Sequence, residues 1–176
     1  MRVVLVGGGT AGHVNPNFAI HELIKKHYRN SAVIFITSQN SFEQSLFANK
    51  NCKVYYISSG KLRRYFDFKN FTDPFKIIYG VFQSLKIIWK FNPDVIFTKG
   101  GFTTVPVAIA AFILRKKLIL HESDSSLGLA NKICSCFTPN VWYSSDKFIN
   151  PKASFKKVSL PHSQSLANGK AENIQG

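Results

Sequence analysis

Short runs of β-branched and aromatic residues alternate along the chain with longer segments in which apolar residues recur at helical spacing. This alternation predicts repeated strand–helix units, which build a parallel sheet flanked by helices. The predicted strands cover residues 2–6, 33–37, 53–57, 94–98, 118–121 and 141–144. The chain is therefore expected to adopt an α/β fold.

Four segments between these strands predict helices. They cover residues 16–27, 74–89, 104–114 and 127–134. In the first segment Asn15 is expected to be the N-cap, because Pro16 fits the first helical position, where its missing N–H costs nothing. The pattern weakens near residue 150, so we expect one domain over residues 1–150 and an atypical, disordered tail over residues 151–176.

Composition places the chain among globular proteins, since 45% of its 176 residues are hydrophobic and 18% are charged. The formal net charge of +14 implies an anionic partner, which on charge alone can be nucleic acid, an anionic membrane surface or phosphate groups. The apolar stretch of residues 105–114 is about half as long as a segment that crosses a bilayer, so we do not expect the chain to span a membrane. The three cysteines of the chain fit neither a disulfide framework nor a zinc site, which favours a reducing, cytoplasmic location.

A glycine-rich loop follows the first predicted strand directly and leads into the first predicted helix. Its glycines are Gly7, Gly8, Gly9 and Gly12, and the loop ends at His13. Free backbone N–H groups and a helix N-terminus at one point suit a diphosphate. A nicotinamide-binding loop is the rival interpretation, although the spacing departs from G-x-G-x-x-G. A tight turn without a ligand is the third.

A second glycine loop, containing Gly100 and Gly101, also lies between a predicted strand and a predicted helix. Two such loops at the carboxyl ends of parallel strands are expected to face one crevice. A neutral His13 beside this crevice is suited to accept a proton from an attacking hydroxyl, or else simply to hydrogen-bond its own turn. His121 and Glu122 have no further ligand spaced for a metal, so we expect them to orient polar groups.

Four segments in this order resemble the MurG family, the family 28 glycosyltransferases of peptidoglycan synthesis. They are VGGGTAGHVNPNFAI from Val6, SSGKLRRYFDFKNFTDPFK from Ser58, PDVIFTKGGFTTVPVAIAA from Pro93 and LHESDSSLGLANKI from Leu120. The resemblance covers roughly residues 1–145. It implies the Rossmann-like, N-terminal acceptor-binding half of a GT-B glycosyltransferase.

In this family the N-terminal domain receives lipid I at the cytoplasmic face of the cell membrane, and the C-terminal domain holds UDP-N-acetylglucosamine. Transfer of N-acetylglucosamine inverts the sugar's configuration and makes lipid II. We expect no cofactor and no metal. The expected partners are the undecaprenyl-diphosphate-linked acceptor, UDP-N-acetylglucosamine through a donor domain, and an anionic membrane surface to which the chain attaches peripherally.

The resemblance also assigns roles by position. His13 is the candidate catalytic base. The expected substrate-binding residues are Thr10, Ala11, Gly12, Gly100, Gly101, Asp124 and Asn131. Ala11 stands where many members have glycine, and Asp124 stands where some members have asparagine.

The end of the chain departs from the family. Members carry a linker of the type G-N-P-V-R between their two domains, whereas residues 158–162 read VSLPH and nothing afterwards resembles a donor domain. We expect either a truncated gene product or one half of a split enzyme. In both cases the chain alone is expected to be inactive.

Cations and aromatic residues interleave between residues 61 and 71. Such a stretch suits an anionic membrane surface, could stack nucleic-acid bases, or could lie against its own domain. The resemblance favours the membrane. The expected membrane contacts are Arg63, Arg64, Phe75, Ile78, Val81 and Phe112.

A second function remains open from the sequence: a non-catalytic, membrane-associated module that binds lipid-linked diphosphate. Binding of nucleic acid is not expected, because the basic stretch carries no recognised nucleic-acid motif.

Overall fold

The computed structural model describes residues 1–60, 69–149 and 154–158, without the side chains of residues 69–71. The strands are β1 (Arg2–Val6), β2 (Ala32–Ser38), β3 (Lys53–Ile57), β4 (Val95–Thr98), β5 (Leu118–Glu122), β6 (Val141–Tyr143) and β7 (Lys156–Lys157). The helices are α1 (Ala11–His27), α2 (Ser41–Phe47), α3 (Lys69–Phe91), α4 (Thr104–Ile113) and α5 (Leu129–Cys134).

All seven strands form one parallel sheet in the order β3-β2-β1-β4-β5-β6-β7. The predicted α/β class and Rossmann-like sheet are therefore confirmed, and the six predicted strands are present to within one residue at each end. The strand order reverses direction between β1 and β4. Open parallel sheets bind ligands at such a switch point, just beyond the carboxyl ends of the strands.

Two apolar cores cover the two faces of the sheet. On one face α3, α4 and α5 pack over the side chains that include Val4, Ile96 and Leu120. On the other face α1 and α2 pack over side chains that include Leu5 and Phe35. Along β1, for example, residues alternate between the two cores, because successive strand side chains point to opposite faces.

Helix α1 begins five residues earlier than predicted. It begins at Ala11 after the extended residue Thr10, so Asn15 is not the N-cap and Pro16 lies inside the helix. A proline here removes only the hydrogen bond to the carbonyl of Gly12, which is exposed near the helix start. The predicted helical position of Pro16 is therefore wrong. The last residues of the glycine motif form the first turn of α1.

The other helices differ from their predicted bounds in similar ways. Helix α3 begins at Lys69 and contains Pro74, and α5 begins two residues later than predicted, after Gly128. Helix α2 was not predicted, because its seven residues are too few to show a helical period. Its start carries a signal that sequence alone could have used: Asn40 is the N-cap, and its side chain accepts a hydrogen bond from the backbone N–H of Glu43.

Part of the predicted tail adds to the sheet. Strand β7 pairs in parallel with β6, Trp142 opposite Lys156 and Tyr143 opposite Lys157. Lys157 also forms an exposed ion pair with Asp146, with 2.6 Å between Nζ and Oδ1. The remaining tail, residues 159–176, lies outside the described residues, so the expected disorder there stays a prediction.

Candidate active site

A crevice opens at the switch point of the sheet, where β1 leads into the first glycine loop and β4 leads into the second. It encloses a cavity of about 480 Å³, within the range of roughly 300–1,000 Å³ that is usual for small-molecule sites. The lining residues are Gly8, Gly9, Thr10, His13, Ser38, Ser59, Gly101, Phe102, Thr103, Leu129 and Ala130.

The start of α1 offers backbone donors beside this cavity. In the described part of the chain, the backbone N–H groups of Thr10, Ala11 and Gly12 make no hydrogen bond. The side chain of Thr10 does not cap the helix, and the first turn carries no acidic residue. Unpaired N–H groups and the positive end of the helix dipole together favour an anion. The helix start therefore has the chemistry of an anion-binding site.

His13 lies on the wall of the cavity, in the first turn of α1. Its Nδ1 atom is 3.2 Å from the carbonyl oxygen of Gly8 and 3.0 Å from Oγ1 of Thr10. Within the described residues its Nε2 atom has no hydrogen-bond partner. An imidazole that is held through one ring nitrogen can take a proton at the other.

The second glycine loop packs against the first. Gly101 has a φ of 84°, and a β-carbon built on it would lie 2.1 Å from the carbonyl oxygen of Gly8 and 3.3 Å from Nδ1 of His13. The loop's start is fixed by Thr98, whose Oγ1 accepts a hydrogen bond of 3.0 Å from the backbone N–H of Gly100. The two predicted loops therefore meet at one place, next to His13.

Asn131 lies beneath the second loop, in α5. A β-carbon on Gly100 would lie 3.1 Å from its Nδ2 atom. The amide is 3% exposed and donates hydrogen bonds to the carbonyl oxygen of His121 (3.1 Å) and to Oε2 of Glu122 (3.0 Å). Asn131 thus supports the loop from behind and does not line the cavity.

Glu122 organises the loop that follows β5. Its carboxylate accepts hydrogen bonds from the backbone N–H groups of Ser123 (2.9 Å), Asp124 (3.2 Å) and Gly128 (2.9 Å), besides the amide of Asn131. Four donors satisfy a buried carboxylate that would otherwise be costly to desolvate. The side chain of Asp124 is exposed on this loop and does not line the cavity.

A buried cation lies beside the same loop. The Nζ atom of Lys99 is 2.9 Å from Nδ1 of His121 and donates a hydrogen bond to Oγ of Ser123. Burial lowers the pKa of Lys99 to about 8, against the opposing effect of the carboxylates of Glu122 and Asp124. Burial, together with the charge of Lys99, lowers the pKa of His121 to about 3. At neutral pH His121 is therefore uncharged and accepts the hydrogen bond from Lys99.

The structure thus separates the predicted binding residues into two groups. Thr10, His13 and Gly101 line the cavity. Ala11, Gly12, Gly100, Asp124 and Asn131 do not line it. Ala11 and Gly12 lie in the first turn of α1, which borders the cavity. The other three lie on or beneath the loops behind the cavity.

Sequence reasoning missed one buried group at the site. Glu43 in α2 is fully buried, and its carboxylate accepts hydrogen bonds from the backbone N–H of Gly9 and the hydroxyl of Thr37. The capping pattern of Asn40 and Glu43 predicts a helix start, but it carries no information about contact with a loop distant in sequence. Sequence reasoning also missed two serines that line the cavity: Ser38, the last residue of β2, and Ser59, which lies just after β3.

The described residues that were expected to contact the membrane lie on α3 and near the end of α4, where apolar side chains are exposed. Phe75, Ile78 and Phe112 are more than half exposed, whereas Val81 is half-buried; Arg63 and Arg64 lie outside the described residues. Further exposed apolar residues on these helices are Tyr79, Phe82, Trp89 and Ile113. Exposed cations on and directly after them are Lys86, Lys90, Arg115 and Lys117.

Within the described ranges, no helix is long and apolar enough to cross a membrane. No cluster of three or more histidine, cysteine, aspartate or glutamate side chains in these ranges could hold a metal ion.

Comparison with known proteins gives consistent matches. Residues 3–142 match the model of the glycosyltransferase family 28 N-terminal domain. The chain is 50% identical over 136 residues to a Clostridium perfringens protein named UDP-N-acetylglucosamine--N-acetylmuramyl-(pentapeptide) pyrophosphoryl-undecaprenol N-acetylglucosamine transferase. It is 49% identical over 141 residues to the Clostridium botulinum protein of the same name. These matches cover 77% and 80% of this chain but only 38% and 39% of the relatives.

Solved structures match in fold. The crystal structure of MurG from Acinetobacter baumannii superposes with a TM-score of 0.73 at 22% identity, over 94% of this chain and 47% of that protein. A UDP-GlcNAc 2-epimerase from Neisseria meningitidis superposes with a TM-score of 0.57 at 13% identity, over 89% of this chain and 46% of that one. At such identities the likeness concerns the fold alone.

Proposed function

Because this chain belongs to glycosyltransferase family 28, through that family's N-terminal domain, we propose that it forms the acceptor-binding half of an inverting N-acetylglucosaminyltransferase. The acceptor is lipid I, the donor is UDP-N-acetylglucosamine, and the product is lipid II of peptidoglycan synthesis. The chain spans about two fifths of the length of the curated relatives that it matches. In this proposal the donor is bound by a donor domain that is not among these 176 residues.

The observation that carries this proposal is the crevice in which a free helix N-terminus and His13 border one cavity. The acceptor's diphosphate binds at the unpaired N–H groups of Thr10, Ala11 and Gly12. These donors, and the positive end of the α1 dipole, favour its negative charge. No acidic side chain in the first turn competes with it.

In this proposal His13 is the general base. The acceptor hydroxyl attacks the anomeric carbon of N-acetylglucosamine and gives its proton to the ring of His13 as the new carbon–oxygen bond forms. The bond between the anomeric carbon and the UDP oxygen breaks, and UDP leaves with the bonding electron pair. A single displacement of this kind inverts the configuration. General-base catalysis of this type contributes on the order of 10²–10⁴ in rate.

The remaining predicted site residues act around this centre. Gly100 and Gly101 shape the second loop, and Asn131 holds that loop in place through its contacts beneath Gly100. Asp124 is placed on an exposed loop at the same edge of the sheet, where it can face the donor domain. Neither Asn131 nor Asp124 is proposed to transfer a proton.

The exposed apolar face of α3 and α4 is proposed as the surface that meets the cytoplasmic face of the membrane. Aromatic rings settle at the boundary between lipid headgroups and hydrocarbon, and lysines near them attract anionic headgroups by about 1 kcal/mol each. Phe75, Phe82 and Trp89 are each at least 65% exposed on α3. Such a contact holds the crevice close to a lipid-linked acceptor.

Acceptor binding by the chain itself tests the proposal. Calorimetric titration with a short-chain polyprenyl-diphosphate-linked N-acetylmuramyl pentapeptide is expected to show saturable binding. Gly12→Asp is the decisive variant, because a β-carbon at Gly12 meets only Oγ1 of Thr10 at 3.7 Å. Its new negative charge stabilises the helix start but repels a diphosphate, so affinity should fall at least about tenfold. Gly12→Asn is the uncharged control.

The proposal fails if the acceptor does not bind, or if Gly12→Asp and Gly12→Asn bind it equally well. In the second case the diphosphate does not lie at the start of α1. A competing titration with inorganic pyrophosphate separates recognition of the diphosphate from recognition of the sugar and peptide.

A further inference from the structure

The peptide group between Gly8 and Gly9 is held at both of its polar ends. Its carbonyl oxygen, on Gly8, is 3.2 Å from Nδ1 of His13. Its N–H, on Gly9, donates a hydrogen bond to Oε1 of Glu43. One peptide group therefore connects a buried carboxylate on α2 to the candidate base on α1.

The carboxylate of Glu43 is firmly anchored. It is fully buried and accepts further hydrogen bonds from the hydroxyl of Thr37, the backbone N–H of Ser38 (2.6 Å) and Nδ2 of Asn40 (3.0 Å). The backbone N–H of Glu43 is in turn capped by Oδ1 of Asn40 at 2.8 Å. These hydrogen bonds hold the carboxylate in one position. The N–H of Gly9, which donates a hydrogen bond to it, therefore has a fixed direction as well.

The other end of the peptide decides which nitrogen of His13 carries the proton. A carbonyl oxygen only accepts hydrogen bonds, so its contact with Nδ1 is attractive when Nδ1 is protonated. The neutral ring then presents Nε2 as its proton acceptor. A hydrogen bond from the peptide N–H to a carboxylate polarises the group and makes its carbonyl a stronger acceptor. The charge on Glu43 thus strengthens the hold on Nδ1–H.

We propose that Glu43 is a positioning residue that acts through the Gly8–Gly9 peptide to hold His13 in the Nδ1–H tautomer, leaving Nε2 free to take the proton of the attacking hydroxyl. The catalytic part of this inference rests on the proposed function, whereas the tautomer does not. Glu43 does not line the cavity and touches His13 only through the peptide. Its effect therefore differs from that of a residue that binds the substrate.

The tautomer can be measured directly by nitrogen-15 NMR of the histidine rings in the full chain, at a pH at which His13 is neutral. His13 should be predominantly Nδ1–H in the unchanged protein. Glu43→Gln keeps the size of the side chain and removes its charge and one acceptor oxygen. The ratio of Nδ1–H to Nε2–H should then fall by about twofold, because the carbonyl of Gly8 loses the polarisation that the carboxylate supplies.

Two controls distinguish this role of Glu43 from a general loss of stability and from an effect of Thr10 on the tautomer. Thr37→Val removes another donor to the same carboxylate and leaves the Gly9 contact in place, so the protein should lose stability without a change in the tautomer ratio. Thr10→Val removes the other partner of Nδ1, the hydroxyl 3.0 Å away, and should leave the Nδ1–H form predominant. A ratio that responds to Thr10→Val and not to Glu43→Gln would assign the positioning to Thr10.

The unchanged protein provides a test that needs no variant to fold. If its His13 is predominantly Nε2–H, the proposal is wrong. In a transfer assay supplied with a donor domain, Glu43→Gln is expected to lower kcat by no more than the factor by which the tautomer ratio falls, and to leave the KM for the acceptor nearly unchanged. Absence of transfer by the unchanged protein would contradict the proposed function and would leave the tautomer result standing.

Discussion

A β-carbon on Gly101 would lie 2.1 Å from the carbonyl oxygen of Gly8, a separation that real β-carbons essentially never show. The two glycine loops, which are distant in sequence, therefore meet through backbone contact at a residue that has no side chain. The same carbonyl oxygen is the one that faces Nδ1 of His13. The close approach of Gly101 and Gly8 thus helps to define where the candidate base lies.

We expect Gly101→Ala to displace the first loop and to abolish measurable acceptor binding. Gly9→Ala is the matched control, because Gly9 also has a positive φ of 92° but a β-carbon there has no atom within 4 Å. The control should show only the cost of a left-handed alanine, about 1–2 kcal/mol. Thermal unfolding and calorimetric titration of both variants measure the difference. Because Gly9 itself lines the cavity, the comparison rests on stability: equal losses in the free energy of unfolding would show that the contact between the loops is unimportant.

Asn131→Ala is expected to destabilise the protein by about 1–3 kcal/mol, because it leaves the carbonyl of His121 and one oxygen of Glu122 without this donor. Asn131→Asp should cost more, since it places a second carboxylate against Glu122. Urea unfolding measures both free energies. If Asn131→Asp is as stable as the unchanged protein, the amide is not a structural donor to Glu122.

The pKa of His121 predicts an acid-sensitive stability. Its pKa is about 3 in the folded chain and near 6.5 in an unfolded one, so between these values the unfolded state binds more protons. The free energy of unfolding therefore falls as pH drops below 6.5, by up to about 1.4 kcal/mol per pH unit. Lys99, whose pKa is about 8, stays charged throughout this window and adds no slope.

His121→Gln removes this titration and keeps an acceptor for Lys99. Urea unfolding between pH 6.5 and pH 5 should show a flatter dependence in this variant than in the unchanged protein. Parallel curves for the two proteins would mean that His121 does not remain neutral when the chain folds.

Membrane attachment through α3 predicts a site-specific effect of surface substitutions. Phe75→Ser with Phe82→Ser should weaken binding to phosphatidylglycerol-containing vesicles at least about tenfold, because two exposed rings lose their burial in lipid. Phe42→Ser is the control, since Phe42 is 48% exposed on α2, away from this surface. Co-sedimentation measures the binding. Equal binding to neutral and anionic vesicles at low salt would exclude the electrostatic contribution.

The sequence predicts much of the fold because each of the six predicted strands is a short, mainly apolar run that is complete in itself, whereas the two lysines of β7 carry no such signal. It predicts the two loops for a similar reason, since each glycine cluster directly follows a strand. It misplaces the start of α1, because Pro16 fits the first position of a helix and is also tolerated within it. It misses Glu43, whose meaning depends on Gly9, a contact that only the folded chain creates.

The exposed face of α3 illustrates another limit. The apolar residues of this segment predict one helical stripe, but the structure divides them between a buried side with Ile88 and an exposed side with Phe82 and Trp89. A helix that is apolar on both sides gives a period without indicating which side meets the sheet.

The proposed function requires that this chain supply the acceptor side and the base for glycosyl transfer. The most direct measurement combines the chain with a separately produced donor domain, verified to bind UDP-N-acetylglucosamine, and follows labelled N-acetylglucosamine into the lipid-linked acceptor. Transfer is expected with the unchanged chain, and His13→Gln should lower kcat by at least about 10². Acceptor binding without transfer would contradict the proposed function and would identify a non-catalytic module that binds lipid-linked diphosphate.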